Sequence, residues 1–269
     1  MSDPGHARLL VVISYYNARP DNCLRNLLMS METCKAGVDF DVCLVVNQEP
    51  GKTMGFAFAT QLQYLHTREN TGMNIGAWDL GWRQHQDYHC YLFLQDECRI
   101  VSHGWGMAFL EAMQQTGIGL VAESMNRRWA RPWKELEQKR KGGKRLAGAP
   151  DQWMGDAAFY QTFMRQHGID PGASGRHARA LVWGIPGPVL HKIDGFLVGA
   201  SYAECIAAEI AVSRKIEALG YHLGQLRKQP FAFIRHSEWA NECKVQAERR
   251  ASAHVLSRLK SIFGVGHNR

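Results

Sequence analysis

Hydrophobic positions along the chain fall in short unbroken runs, separated by stretches where they recur at helical spacing. Leu9-Leu10-Val11-Val12-Ile13 is continuous rather than alternating, the pattern of a strand covered on both faces. Arg19-Pro20-Asp21 then opens a helix that places Leu24, Leu27, Leu28 and Met31 on one side. Further strands are predicted over residues 41–46, 63–66, 91–94 and 118–122, with helices over 75–85 and 105–115. Strands alternating with helices imply right-handed βαβ units and a parallel sheet. From Ser124 to Pro186 the periodicity lapses, apart from one helix over 157–167. It returns with a helix over 202–219, stopped by Gly220. A last stripe over 251–263 puts Val255, Leu256, Leu259, Ile262 and Phe263 on one face, suited to docking on the core, to a dimer contact or to a membrane surface.

With 45 % hydrophobic and 21 % charged residues among 269, the composition excludes disordered, collagen-like and disulfide-scaffold classes. The longest aliphatic run, five residues, is too short to span a bilayer and lacks the flanks of a secretory signal. The seven cysteines are scattered without a C-x-x-C pair, which predicts reduced thiols and a cytoplasmic protein. The net charge of +7 is local. Residues 127–145 hold nine Lys/Arg against Glu135 and Glu137, and the remainder balances. Such a segment fits a phosphate-bearing substrate, peripheral contact with an anionic membrane on its inner face, or a solvated loop. A nucleic-acid binder spreads its basic surface over the folded body, so no nucleic acid is expected.

Familiar nucleotide motifs fail. Gly51-Lys52-Thr53 lacks the first glycine of a phosphate loop, whose position is Val46. The turn after the first strand reads Ser14-Tyr15-Tyr16-Asn17-Ala18, with no G-x-G-x-x-G. What remains is Leu94-Gln95-Asp96-Glu97 at the carboxyl end of the fourth strand, where open α/β sheets bind ligands. Two adjacent acids there can hold a hard divalent cation through oxygen, or form a solvated turn.

The order of pieces is more specific than any one of them. Ser14-Tyr15-Tyr16-Asn17, a second strand ending at Asn47, Glu69-Asn70-Thr71-Gly72-Met73-Asn74-Ile75-Gly76-Ala77 and Leu94-Gln95-Asp96-Glu97 follow one another. Gly187-Pro188-Val189-Leu190-His191-Lys192-Ile193-Asp194-Gly195-Phe196 and the stretch from Glu209 to Leu219-Gly220-Tyr221 come later. This series resembles family 2-type glycosyltransferases of the GT-A fold over residues 8–225.

The resemblance implies an α/β, GT-A-like, mostly parallel sheet flanked by helices, with a C-terminal helical extension. It divides the chain into a nucleotide-sugar-binding half (1–123), an acceptor-binding and catalytic half (124–225) and the extension (226–269). It implies transfer of a sugar from a nucleoside-diphosphate donor to a hydroxyl of a surface polysaccharide or lipid-linked glycan, with inversion and with Mg²⁺ or Mn²⁺. Tyr16, Asn17, Asn47, Asn70, Gly72, Asn74 and Asp96 become donor-binding residues. Glu97, Asp96 and His236 become metal ligands, although His236 also reads as a structural histidine. Glu209 becomes the general base, with Glu204, five residues earlier, as the fallback. Two departures stand out: Gln95 replaces the first metal-binding acid, and Asn47 replaces the acid that contacts the base. They leave open a non-catalytic nucleotide-sugar or glycan-binding module and, from the basic segment alone, a nucleic-acid-binding protein. Trp129, Trp133 and Trp153 in the irregular stretch either stack on a sugar or pack a loop.

Overall fold

A computed structural model describes residues 8–52, 62–140 and 156–237. The helix expected over 251–263, Trp153 and the basic residues 141–145 lie outside the described residues.

The first half alternates as its pattern requires. Strand β1 (Leu9–Tyr16) leads into helix α1 (Asn22–Thr33), strand β2 (Phe40–Gln48), strand β3 (Tyr64–Glu69), helix α2 (Met73–Gln84) and strand β4 (Cys90–Gln95). Strand β5 (Cys98–Ile100), helix α3 (Trp105–Met113) and strand β6 (Ile118–Ala122) follow. The second half contributes helices α4 (Trp133–Arg140) and α5 (Ala157–Gln166), strand β7 (Val182–Pro186), helices α6 (Gly187–Lys192) and α7 (Tyr202–Ala218), and strands β8 (His222–Gln225) and β9 (Ile234–His236).

Among the described residues, seven strands form one sheet in the order β3-β2-β1-β4-β7-β6-β8, and β5 pairs with β9 apart from it. The sheet is mostly parallel but not wholly so. Strand β7 runs antiparallel to both β4 and β6, the exception within the mostly parallel sheet that the resemblance implies. Its sequence, Val182-Trp183-Gly184-Ile185-Pro186, offers no alternation and contains glycine and proline, so pattern alone did not mark it as a strand. It is nevertheless buried at the sheet's centre, and Gly184 lets the Phe109 ring pack where a side chain would stand.

Both sheet faces are covered, which accounts for the unbroken hydrophobic runs. Leu9, Val11 and Ile13 pack with Leu24, Leu28, Trp105 and Phe109 on the α1/α3 side. Leu10, Val12, Cys43 and Val45 pack with Trp78 and Trp82 of α2 on the other. Each such side chain contributes roughly 1.5–3 kcal/mol on burial. Helix α2 lies close against the strands because Gly81 faces Val12, whose Cγ1 would stand 2.5 Å from any Cβ there. Helix α7, whose buried face is mainly alanine and isoleucine, joins α5 in a third cluster through Ala207, Ile210 and Ala211.

Candidate active site

The carboxyl edge of the sheet is where β1, β2, β3 and β4 all end, and β7, running the other way, begins there. That reversal brings Arg179 and Ala180 to the same edge as Gln95. A cavity of about 390 Å³ opens at this point. Its walls include Gly72 and Asn74 at the start of α2, Gln95 at the end of β4, Arg128, Arg179 and Glu209.

Glu209 sits in the middle of α7 with 21 % of its side chain exposed. Its Oε1 accepts a 2.7 Å hydrogen bond from the Ala180 amide. Burial pushes its carboxyl up to about 7, against the opposing pull of that hydrogen bond and of Arg179. Glu204, the alternative register, has a different task. Its carboxylate accepts from the Ala200 and Ser201 amides at 2.7 and 3.1 Å, while Ser201 Oγ accepts from the Glu204 amide, closing a capping box on α7. Of the two acids, Glu209 alone lines the cavity.

Ala180 also joins Glu209 to the acidic doublet's strand. Its carbonyl accepts from Gln95 Nε2 at 2.5 Å, which turns Gln95 Oε1 toward His236 Nε2 at 3.1 Å. Glu97 Oε2 stands 3.6 Å from the same nitrogen and 2.8 Å from Arg19. The hydrogen bond to His236 and the charges of Arg19 and His236 hold the Glu97 carboxyl below its ordinary range. Asp96 is buried. Its Oδ2 has no hydrogen-bond partner among the described residues, and desolvation, with help from Glu97, pushes the carboxyl up to about 6. Glu97 and His236 therefore come together with Gln95. Asp96 does not bring a ligand atom within 4.8 Å of both.

These atoms test the place for a divalent ion. A carboxylate and an amide oxygen suit Mg²⁺ or Mn²⁺, and an imidazole nitrogen adds a third donor. Asp96 Oδ2, buried without a hydrogen-bond partner among the described residues, is not one of these donors. The donor set fits such an ion, with Gln95 supplying a neutral oxygen in the first acid's place.

Four expected donor-binding residues form a hydrogen-bonded arc beside the cavity rather than its wall. Tyr16 bonds Glu49 and Asn70. Asn17 Oδ1 accepts from the Glu49 amide at 2.6 Å. Asn47, buried, donates to the Met73 carbonyl at 3.1 Å and accepts from Arg68 at 2.9 Å. Gly72 and Asn74 complete the arc in the cavity. Gly72 caps α2 at φ 73°, and a Cβ there would meet Val198 at 2.2 Å. Asn74 Oδ1 accepts from Ser14 Oγ at 2.9 Å.

Asn126, His177 and Arg179 also line the cavity, with no signal in the sequence. They lie in the stretch without periodicity, and only their cavity-facing placement singles them out. Trp129 lines the cavity, whereas Trp133 is buried with its indole N–H on the Pro171 and Gly172 carbonyls. Among the described residues, the basic segment sends one, Arg128, into the cavity wall.

Comparison with known proteins decides the architecture. The chain matches a mannosyltransferase from Pyrobaculum calidifontis, solved with GDP-Man and Mn²⁺, at TM-score 0.50 and 12 % identity over 84 % of its own length and 57 % of the other's. It matches GalNAc-T7, solved with UDP, GalNAc and Mn²⁺, at TM-score 0.51 and 11 % identity over 83 % and 43 %. The chain has a GT-A-like glycosyltransferase fold. It spans about half the length of these structures. No protein-family profile and no curated protein sequence matches it. Among the described residues, no helix of this GT-A-like chain is long and apolar enough to cross a membrane.

Proposed function

We propose that the chain transfers a sugar from a nucleoside-diphosphate donor to a hydroxyl of a polysaccharide or lipid-linked glycan. The observation that carries this reading is the placement of Glu209: one half-sheltered carboxyl, titrating near neutrality, in a cavity otherwise charged by Arg128 and Arg179. A base with such a pKa takes a proton from an attacking hydroxyl efficiently near pH 7. The two guanidiniums suit a diphosphate, the group that accumulates charge as it departs. Residues 1–123 supply the donor edge, residues 124–225 the base and the acceptor side, and residues from 226 return His236 to the doublet.

When bound, Mg²⁺ or Mn²⁺ would lie on Gln95, Glu97 and His236 and offset charge on the diphosphate. Glu209 accepts the proton of the acceptor hydroxyl at its free carboxylate oxygen, while Ala180 fixes the other. If attack and departure are in line, the anomeric centre inverts.

Arg19 favours a second reading. Its guanidinium already sits on Glu97, a fixed positive charge where the ion's partner stands, and this suits a module that binds donor without turning it over. One assay separates the two. The chain is incubated with a panel of nucleotide sugars with and without Mn²⁺, scoring both the melting midpoint and release of nucleoside diphosphate. A raised midpoint with turnover supports the enzyme. A raised midpoint without turnover in the presence of candidate acceptors supports the binding module, and no shift with any donor defeats both.

A further inference from the structure

At the other end of α2 lies a group of side chains that the donor cavity does not use. Cys43 on β2, His66 on β3 and His85 at the C-cap of α2 each turn one ligand atom to the same spot, all within 4.8 Å of one another. We infer that Cys43 Sγ, His66 Nε2 and His85 Nε2 form a binding site for a thiophilic divalent ion of the zinc class, separate from the Mg²⁺/Mn²⁺ position.

Several features converge. The two imidazole nitrogens already face each other at 2.8 Å. In a tetrahedral zinc site with Zn–N near 2.0–2.1 Å and Zn–S near 2.3 Å, such nitrogens stand about 3.3 Å apart and about 3.6 Å from sulfur. A parting of roughly half an ångström between the rings therefore admits the ion. The rings are held in place. His85 stacks on Tyr64 with centroids 3.8 Å apart, and the Tyr64 hydroxyl is tied to Tyr88, which donates to Asp41 Oδ2 at 2.5 Å. Cys43 is fully buried while both histidines are half-buried, which leaves an approach for the ion and for a water as fourth ligand.

Protonation states agree with this geometry. Burial, and His66 after it, hold the His85 imidazole below its ordinary range, so it is neutral and able to ligate. Burial pushes the Cys43 thiol up to about 12, so it stays protonated until a metal arrives. Binding forms the metal–sulfur bond and breaks the S–H bond, and the proton leaves to solvent.

The ligand types select the metal. A thiolate and two imidazoles favour zinc and its chemical neighbours over Mg²⁺ or Mn²⁺, which prefer oxygen. The site's position indicates its use. Helix α2 is about 18 Å long, so the group lies a helix length from the cavity. It joins the edge strand β3 to β2 and to the end of the helix that begins at Gly72. An ion there pins an edge strand and the donor-side helix to each other without touching substrate.

The test uses the full chain, reduced and stripped of metal, titrated with Zn²⁺ against a chromophoric chelator and with Co²⁺ as a spectroscopic stand-in. One Zn²⁺ per chain, a raised melting midpoint and a cobalt spectrum with a thiolate charge-transfer band are expected. Cys43→Ser should abolish that band, and His66→Ala should weaken Zn²⁺ by more than about 100-fold, the upper end of what losing a mere supporting group costs. His66→Ala guards the test against a core defect in the cysteine variant, because residue 66 is only half-buried. Glu97→Gln should leave Zn²⁺ binding unchanged, which keeps this site distinct from the doublet. Absence of stoichiometric binding, or Zn²⁺ affinity untouched by both Cys43→Ser and His66→Ala, overturns the assignment. In that case the His66–His85 contact is a hydrogen bond and nothing more.

Discussion

His177 Nε2 stands 3.5 Å from Glu209 Oε1, and it brings no charge with it. The His177 Nδ1–H donates to the Gly175 carbonyl at 2.6 Å, which leaves Nε2 as an acceptor for Asn126 Nδ2 at 3.1 Å. The ring is 2 % exposed, and burial lowers its pKa to about 4. Throughout the neutral range an uncharged imidazole therefore faces the candidate base, so no imidazolium pulls the Glu209 pKa back down. Transfer should accordingly rise with pH through a single ionisation near 7. A pH–kcat/KM profile of a demonstrated donor checks this, and two ionisations on the acid limb would contradict it.

The same carboxyl costs the fold stability. Its native pKa lies above the ordinary value of 4.5, so the native state holds the proton more tightly than the unfolded chain does. The stabilisation is complete below about pH 4.5 and is lost as pH rises through 7, an amount of roughly 3 kcal/mol at 1.36 kcal/mol per unit. Glu209→Gln keeps the hydrogen bond from Ala180 and removes the ionisation. Its midpoint in urea at pH 8 should exceed wild type, while transfer falls ~10²- to 10⁴-fold. Asp96, raised to about 6, contributes in the same direction and remains in the variant, so some loss of stability between about pH 4 and 6 persists.

Glu204 answers a different perturbation. Glu204→Ala opens the capping box of α7 and should cost about 0.3–1.5 kcal/mol by thermal unfolding. Transfer per folded molecule should stay near wild type, because the cavity wall is unaltered. A dead Glu204→Gln with intact folding would move the base one turn and more toward the helix start.

Glu123 governs His236 from a distance. Its buried carboxylate accepts from the Ala232, Phe233 and Ile234 amides at 2.9, 2.9 and 2.7 Å, and so holds the segment that enters β9. Glu123→Ala would strand three amides at about 1–3 kcal/mol for each that stays buried. Loss of several kcal/mol in chemical unfolding is expected, along with weaker Mn²⁺-dependent donor binding. Glu123→Gln should recover part of both, since its amide oxygen can still accept.

Legibility in the sequence followed continuity of pattern. β1, β2 and β4 were readable because strands covered on both faces become unbroken apolar runs, and α1 because its stripe has one period. Strand β7 was hidden by its glycine and proline, and β5 and β9 by being three residues long. The doublet and Glu209 stand out as candidates through their order along the chain, which residue spacing preserves. That Glu209 rather than Glu204 lines the cavity is visible only in coordinates, although Ser201-x-x-Glu204 already carries the capping signature. His177, Asn126 and Arg179 left no signal at all. Their placement depends on a loop wound back by an antiparallel strand, and neither period nor motif encodes that. The Cys43, His66 and His85 group is spread over 43 residues of sequence and becomes a cluster only through strand register and helix length.

The central position of β7 also sets an order of assembly. Strands β1 to β4 are complete by residue 95, yet the neighbour of β4 on its open side is not made until residues 182–186. During synthesis at ~5–20 residues per second, a nascent chain would hold that hydrophobic edge bare for several seconds. An unpaired edge of this kind invites pairing with other chains. Late-stage rescue by chaperones, or aggregation of fragments truncated before residue 182, is the price of inserting the strand that carries Ala180 to the cavity.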